Sequence, residues 1–268
     1  MRIRRLLILT GVALLAAGCQ TVETTQPGAV GVDRKQHMLV SEEEIEKGSQ
    51  EAYHQELQKA KDKRALNTDQ QTYQRVQTIV RRLIPQTSTF RPDAPQWNWE
   101  VNVQTTDDVN AYCMPGGKIM VYTGLIEQLH ATDAELAAVI GHEIAHALRE
   151  HSRERISRAY AEQVALAGIA LATGASNTTM QLASQVSAVT FQLPHSREQE
   201  AEADRIGLEL MARAGYDPRA AVTLWNKMNS SERSGTPKFL STHPSPKDRI
   251  KDIEKNLPRV LPLYAQRK

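Results

Sequence analysis

Apolar positions recur on a helical spacing over most of this chain and on a strand spacing in one short region only. Ser41 followed by Glu44 is a capping box, which predicts a helix running to about Lys63. A second helix follows from about Asp69 to Ile84, stopped by Pro85. Their charge-rich faces read as solvated surface. Residues 97–103 alternate in the strand manner, 118–122 follow the Gly116-Gly117 pair as another strand, and 109–114 supply a third. Thr132 and Glu135 form a further capping box, opening a helix that is apolar on nearly every side through Leu148. Composition is helical from Arg153 to Leu193, with a break predicted at 173–177. Helices are also expected from about Ser196 to Ala214, from Pro218 to about Asn229 and from Pro246 to about Asn256. Three strands ahead of a buried helix give an α+β class, mostly helical, with a small sheet packed on helices.

The beginning of the chain follows another pattern. Arg2, Arg4 and Arg5 precede an apolar run from Leu6 to Ala17, too short for a comfortable membrane span, so 1–18 reads as an export signal. Ala16-Ala17-Gly18-Cys19 resembles the bacterial lipobox, with Ala16 in place of the usual leucine. Cys19 is therefore the expected lipidation site, and cleavage without lipid is the alternative. Gln20, by resemblance to enterobacterial sorting, points to the outer membrane. Residues 19–40 are polar, with Thr, Gly and Pro, and read as a flexible tether ahead of a domain spanning 41–268. The ten apolar residues at 164–173 are too few to cross a bilayer, so they read as core or as a mobile cover.

Composition narrows the function classes. A 268-residue chain with 40% hydrophobic residues suits one globular domain with extensions. Its 33 basic and 31 acidic residues nearly balance, which offers no support for a nucleic-acid partner. With Cys19 assigned to the anchor, Cys113 stands alone and no intramolecular disulfide is expected; Cys113 reads as a small core or strand residue.

The apolar helix after Thr132 carries the chemistry. His142-Glu143-Ile144-Ala145-His146 is an H-E-x-x-H, which places two imidazoles about 40° apart on adjacent turns, where both reach one metal. Glu143 falls beside that face and can hold a metal-bound water without taking a coordination place. This is the layout of a zinc hydrolase. Two histidines and a glutamate sit badly in an apolar helix unless paired or metal-bound.

A catalytic zinc takes three protein ligands and a water, so a third ligand is needed. Residues 196–204 hold three glutamates. Glu200 and Asp204 share a helix face, whereas Glu198 and Glu202 point well away and read as solvated acidic surface. Glu200 is the expected ligand, with Asp204 receiving the outward N–H of a ligating histidine. His151 lies about 180° around the helix from His142 and can approach the metal only if the helix breaks first. His195 reads as a loop residue, and His37, His54 and His130 carry no supporting pattern. His243, in a proline-fixed Ser-Thr-His-Pro-Ser-Pro loop, is a further candidate.

These residues together resemble a known family. HEIAH at 142–146, Glu200-x-x-x-Asp204 and His243-Pro244 with Arg249-Ile250 are similar to the HtpX and CAAX prenyl protease family of zinc metallopeptidases. Asn110-Ala111, Pro115-Gly116-Gly117 and Gly124-Leu125-Ile126 extend the likeness, which covers roughly 70–256. It implies a zincin-like metallopeptidase core and one Zn2+ per chain on His142, His146 and Glu200. It also implies Glu143 as base, with His243 stabilising the oxyanion or taking the water's place in a resting state. The absence of long apolar spans resembles the soluble periplasmic branch, which includes BepA-like and LoiP-like proteases. The function this implies is endopeptidase action on misfolded or unassembled envelope proteins, with substrate extended along an edge strand, taken as 118–122. Implied partners are polypeptide substrates, the membrane through a lipid anchor and outer-membrane assembly machinery. The alternative is a chaperone-like or structural zinc-binding lipoprotein that cleaves little.

Overall fold

The computed structural model describes residues 20–167, 179–231, 238–244 and 248–267. The leader with Cys19, the apolar run beyond Ala167, the break at 173–177 and Pro246 lie outside the described residues.

Two short strands come first, β1 (Gln20–Val22) and β2 (Gln36–Met38), paired antiparallel. Helices α1 (Glu42–Asp62) and α2 (Gln70–Leu83) follow. Next comes a three-stranded sheet of β3 (Glu100–Gln104), β4 (Ala111–Met114) and β5 (Lys118–Tyr122), with a short α3 (Thr123–Gln128). The remainder is helical: α4 (Asp133–Leu148), α5 (His151–Ala167), α6 (Thr179–Phe191), α7 (Arg197–Arg213), α8 (Ala220–Ser231), α9 (Lys238–Thr242) and α10 (Asp248–Ala265). The mostly helical α+β architecture expected from the sequence is the one observed. No helix among the described residues is long and apolar enough to cross a membrane.

The strand order is β3-β5-β4, parallel across the first pair and antiparallel across the second. Alternation decides which face each side chain takes. Ala111, Cys113, Ile119 and Val121 point into the main core with α2, α4 and α7, while Tyr112, Met114, Met120 and Tyr122 join a second cluster with Tyr53 of α1, Ile156 of α5 and Val186 of α6. Burial on both faces explains why β5 reads as an unbroken buried run. It also corrects an expectation: 118–122 is the central strand, and the edge strand packed on the metal helix is β4. Cys113 is a buried strand residue, as its type suggested.

Residues 20–40 depart further from expectation. Rather than a loose tether, they lie against the domain, with Val30, Val32 and Met38 buried and Gln36 fully enclosed. Their polar composition was misleading because the polar groups meet buried charges. Val30 N donates to Glu209 Oε2 at 3.1 Å, and Gln36 Nε2 donates to the carbonyl of Arg149 at 2.7 Å.

Helix α4 is the centre of the molecule. Thr132 accepts from the Glu135 amide while Glu135 accepts from the Thr132 amide, closing the predicted capping box, a motif worth about 1 kcal/mol. Every residue from Glu135 to Leu148 is buried. The helix ends because Glu150 takes a left-handed conformation with φ of 51°, which turns the chain into α5. That conformation costs a residue with a Cβ about 1–2 kcal/mol. Ion pairs from Glu150 to Arg91 at 2.8 Å and to Arg153 at 2.6 Å hold it there.

Candidate metal centre

One turn of α4 stacks His142 over His146, leaving their Nε2 atoms 3.1 Å apart. Helix α7 crosses α4 at a pair of glycines. A Cβ on Gly207 would lie 2.7 Å from the His142 amide nitrogen and 2.9 Å from the Gly141 carbonyl carbon, so only a residue without a side chain permits this approach. The close crossing brings Glu200 to the histidines, with Oε1 at 3.4 Å from His146 Nε2 and Oε2 at 3.6 Å from His142 Nε2. His243 enters from the end of α9. Its Nδ1 lies 3.2 Å from His142 Nε2 and 3.0 Å from Glu200 Oε1. Its ring is stacked on Phe239, whose amide donates to the Val109 carbonyl and so fastens α9 to the sheet.

The four side chains fit a zinc ion. Their ligand atoms all lie within 4.8 Å of one another, and all four residues are buried. Zinc held tetrahedrally by arms of about 2.0–2.1 Å needs ligand atoms roughly 3.3 Å apart, which is the spacing of the pairs just given. Glu143 Oε1 is buried without a hydrogen-bond partner. Glu200 Oε2 accepts no well-directed hydrogen bond either, although Arg249 Nη1 is 2.6 Å away. Buried polar atoms without a protein partner fit donors that face a cation. Imidazole and carboxylate donors in this number suit one Zn2+ per chain.

Charges around the cluster are arranged in layers. His142 Nδ1 lies 2.9 Å from Asp204 Oδ1, the carboxylate expected there, and Asp204 is gripped by Arg249 through two bonds of 2.7 Å. Burial raises the Glu143 carboxyl above its usual range, and the charges of His243 and His142 only partly offset this. Burial acts on Glu200 in the same direction, but His243 and Arg249 outweigh it and hold that carboxyl well below normal. His146 is pushed well below the usual imidazole range by burial, so it is a neutral donor. The Arg249 guanidinium also lies over the Trp225 ring at 3.7 Å, which fixes its plane.

The structure brings together His142, Glu143, His146, Glu200, Asp204 and His243, all six of the residues singled out around the metal. Among the other readings, that of Glu202 is corrected, while those of His151 and His195 hold and gain partners. The helix does break before His151, so the ring turns back and its Nδ1 lies 2.8 Å from His146 Nδ1. Glu202 is not solvated: its side chain is 6% exposed against 64% for Glu198, and it meets Arg34, Arg149 and His151. His195 sits in a loop as expected but packs against His146 and His243, with ring centroids 4.0 and 4.9 Å away. Arg249, the arginine of the motif that begins at His243, supplies a buried double grip on Asp204. No helix-stop residue precedes His151 in the sequence, so that displacement had no local signal.

Residues 70–257 match the profile of Peptidase family M48. The chain is 43% identical over 154 residues to mitochondrial metalloendopeptidase OMA1 of Arabidopsis thaliana, covering 58% of this chain and 30% of that protein. It is 34% identical over 202 residues to mitochondrial metalloendopeptidase OMA1 of Bos taurus, covering 70% and 38%. It is 30% identical over 173 residues to the beta-barrel assembly-enhancing protease of Escherichia coli (strain K12), covering 60% and 34%. The chain thus spans about a third to a half of the length of these and similar relatives. The profile match covers more than half of the chain and takes in every residue of the metal-binding cluster, so the chain belongs to peptidase family M48.

Proposed function

We propose that the chain is a zinc endopeptidase acting on extended segments of misfolded or unassembled cell-envelope proteins. One observation carries the reading: beside four converging ligand atoms, Glu143 offers a buried carboxylate oxygen with no hydrogen-bond partner. Bound zinc supplies Lewis acidity, which lowers the pKa of an attacking water to about 7 and polarises a carbonyl. Glu143 takes the proton of the attacking water and returns it to the leaving amine. Its raised carboxyl suits a group that must both accept and release a proton. His243 Nε2, 3.5 Å from Glu143 Oε1, is placed to donate to the oxygen that becomes negative. The free side of β4 offers backbone groups to an extended substrate, a mode that favours unfolded segments.

The envelope setting rests on the basic-apolar leader, on Cys19 as lipid anchor and on the likeness to the bacterial protease. The mitochondrial relatives share the domain and leave the compartment to the leader. In this reading the protein is lipid-anchored in the periplasm, at the outer membrane, with assembly machinery as its partner.

Casein cleavage by the chain lacking residues 1–19, beside Glu143→Gln, tests the activity. The parent is expected to cleave, and Glu143→Gln to retain one zinc and lose about 10²–10⁴-fold in rate. Zinc in both with cleavage in neither would sink the peptidase reading. A second reading has its own observation: His243 completes four protein donors, the signature of a closed site. His243→Ala separates the two roles, since a donor to the oxyanion is lost with the ring, whereas a resting ligand that blocks water is relieved.

A further inference from the structure

Each ligating histidine must point a bare nitrogen at the metal, and what lies behind the ring decides which nitrogen that is. For His142 the group behind is Asp204. For His146 it is another histidine. We propose that His151, Glu202 and Arg34 form a positioning relay that fixes the tautomer and orientation of His146, which makes the segment around Arg34 part of the metal centre.

Hydrogen-bond polarity gives the direction of the relay. Glu202 accepts from Arg149 Nε at 3.0 Å and from Arg34 Nη2 at 3.1 Å, so it is an ionised carboxylate and can only accept. His151 Nε2, 3.0 Å from Glu202 Oε2, therefore carries the hydrogen. The two guanidiniums of Arg34 and Arg149 balance the carboxylates of Glu154 and Glu202, so no charge is required of His151. A neutral His151 protonated at Nε2 has a bare Nδ1. That atom lies 2.8 Å from His146 Nδ1, which must then be the donor. His146 Nε2 is left bare, facing Glu200 and His142 Nε2.

Arg34 locks this relay from outside. Its guanidinium bridges Glu154 and Glu202. Its carbonyl accepts from Arg149 Nη2 at 2.9 Å, and Thr24 and Thr25 accept from Arg149 Nη1 at 3.1 and 3.2 Å. Gln36 Nε2 binds the Arg149 carbonyl at 2.7 Å. These bonds hold the Arg149-Glu150 turn, and that turn is what sends His151 back toward His146.

The inference rests on zinc at this cluster but not on peptidase activity. It is tested on the zinc-loaded full chain in detergent. Zinc release to a chromophoric chelator is measured for Arg34→Ala, Glu202→Gln, His151→Phe and Arg34→Ala/His151→Phe. The visible spectrum of the cobalt-substituted protein reports the ligand field in the same variants. Arg205→Ala is the control: it lies on the helix of Glu202 but outside the relay, and it breaks an ion pair to Asp252 of α10. Release is expected to be about 10- to 100-fold faster in His151→Phe and Glu202→Gln and about tenfold faster in Arg34→Ala, with altered cobalt spectra. The double variant is expected to match His151→Phe. Parent-like release in Arg34→Ala and Glu202→Gln overturns the relay, as does equal acceleration in Arg205→Ala or additivity in the double variant. Should Arg34→Ala fail to fold, the near-isosteric Glu202→Gln decides. A parent that holds no zinc would instead overturn the metal centre itself.

Discussion

Asp204 and Arg249 show how much of the site depends on groups that touch no substrate. Arg249 is buried and shared between Asp204 and Glu200, so removing it takes the one guanidinium away from two buried carboxylates that are left with imidazole partners only. Arg249→Ala is expected to cost about 3–5 kcal/mol, read from denaturant unfolding of the zinc-free chain. Asp204→Asn keeps the shape but loses the charge, and is expected to weaken zinc binding about 10- to 100-fold in a competition titration. Glu154 and Glu202 give a residue-level dependence on pH. Burial raises both carboxyls, but side-chain hydrogen bonds from Arg34 to Glu154, and from His151 and Arg34 to Glu202, outweigh it and bring each to about 2. An unfolded glutamate titrates near 4.5, so the stability these groups contribute is complete above that pH and drains away as pH falls from 4.5 toward 2. In the zinc-free chain, Arg34→Ala is expected to move the acid limb of a circular dichroism titration to higher pH.

At the scale of elements, the α4–α7 crossing determines whether the ligands converge at all. Gly207→Ala places a methyl against the His142 backbone, where neither helix has slack. Overpacking of this kind costs about 1–3 kcal/mol. Because the strain falls between two ligand-bearing helices, zinc content is expected to drop along with the melting temperature; unchanged stoichiometry would show that the helices repack without separating the ligands. Helix α4 itself was legible in the sequence because its signals are local, a capping box and an apolar surface between Thr132 and Leu148. The place of β5 was not. Periodicity places 118–122 in a strand, but position within a sheet depends on partners far along the chain.

For the whole molecule, the metal and the first folded segment are the two long-range ties. Zinc binds the folded chain and not the unfolded one, so chelation is expected to lower the melting temperature by about 10 °C, with recovery on adding zinc, as read by calorimetry. A site that needed no cation would show no shift. Residues 20–40 lie against buried Arg149 and Glu154 and meet them with polar groups that composition alone assigned to solvent.

The sequence by itself determined which candidate donors share a helix face. His142 and His146 are one turn apart with Glu143 beside their face, and Glu200 and Asp204 are one turn apart, so helix geometry alone groups them within each helix. Tertiary structure alone decided what stands behind His146. His151 turns back because Glu150 adopts a left-handed conformation held by Arg91, and Glu202 is buried because Arg34 reaches it from 168 residues away. Periodicity describes one helix at a time, whereas the burial of a charge depends on which distant segment brings the opposite charge.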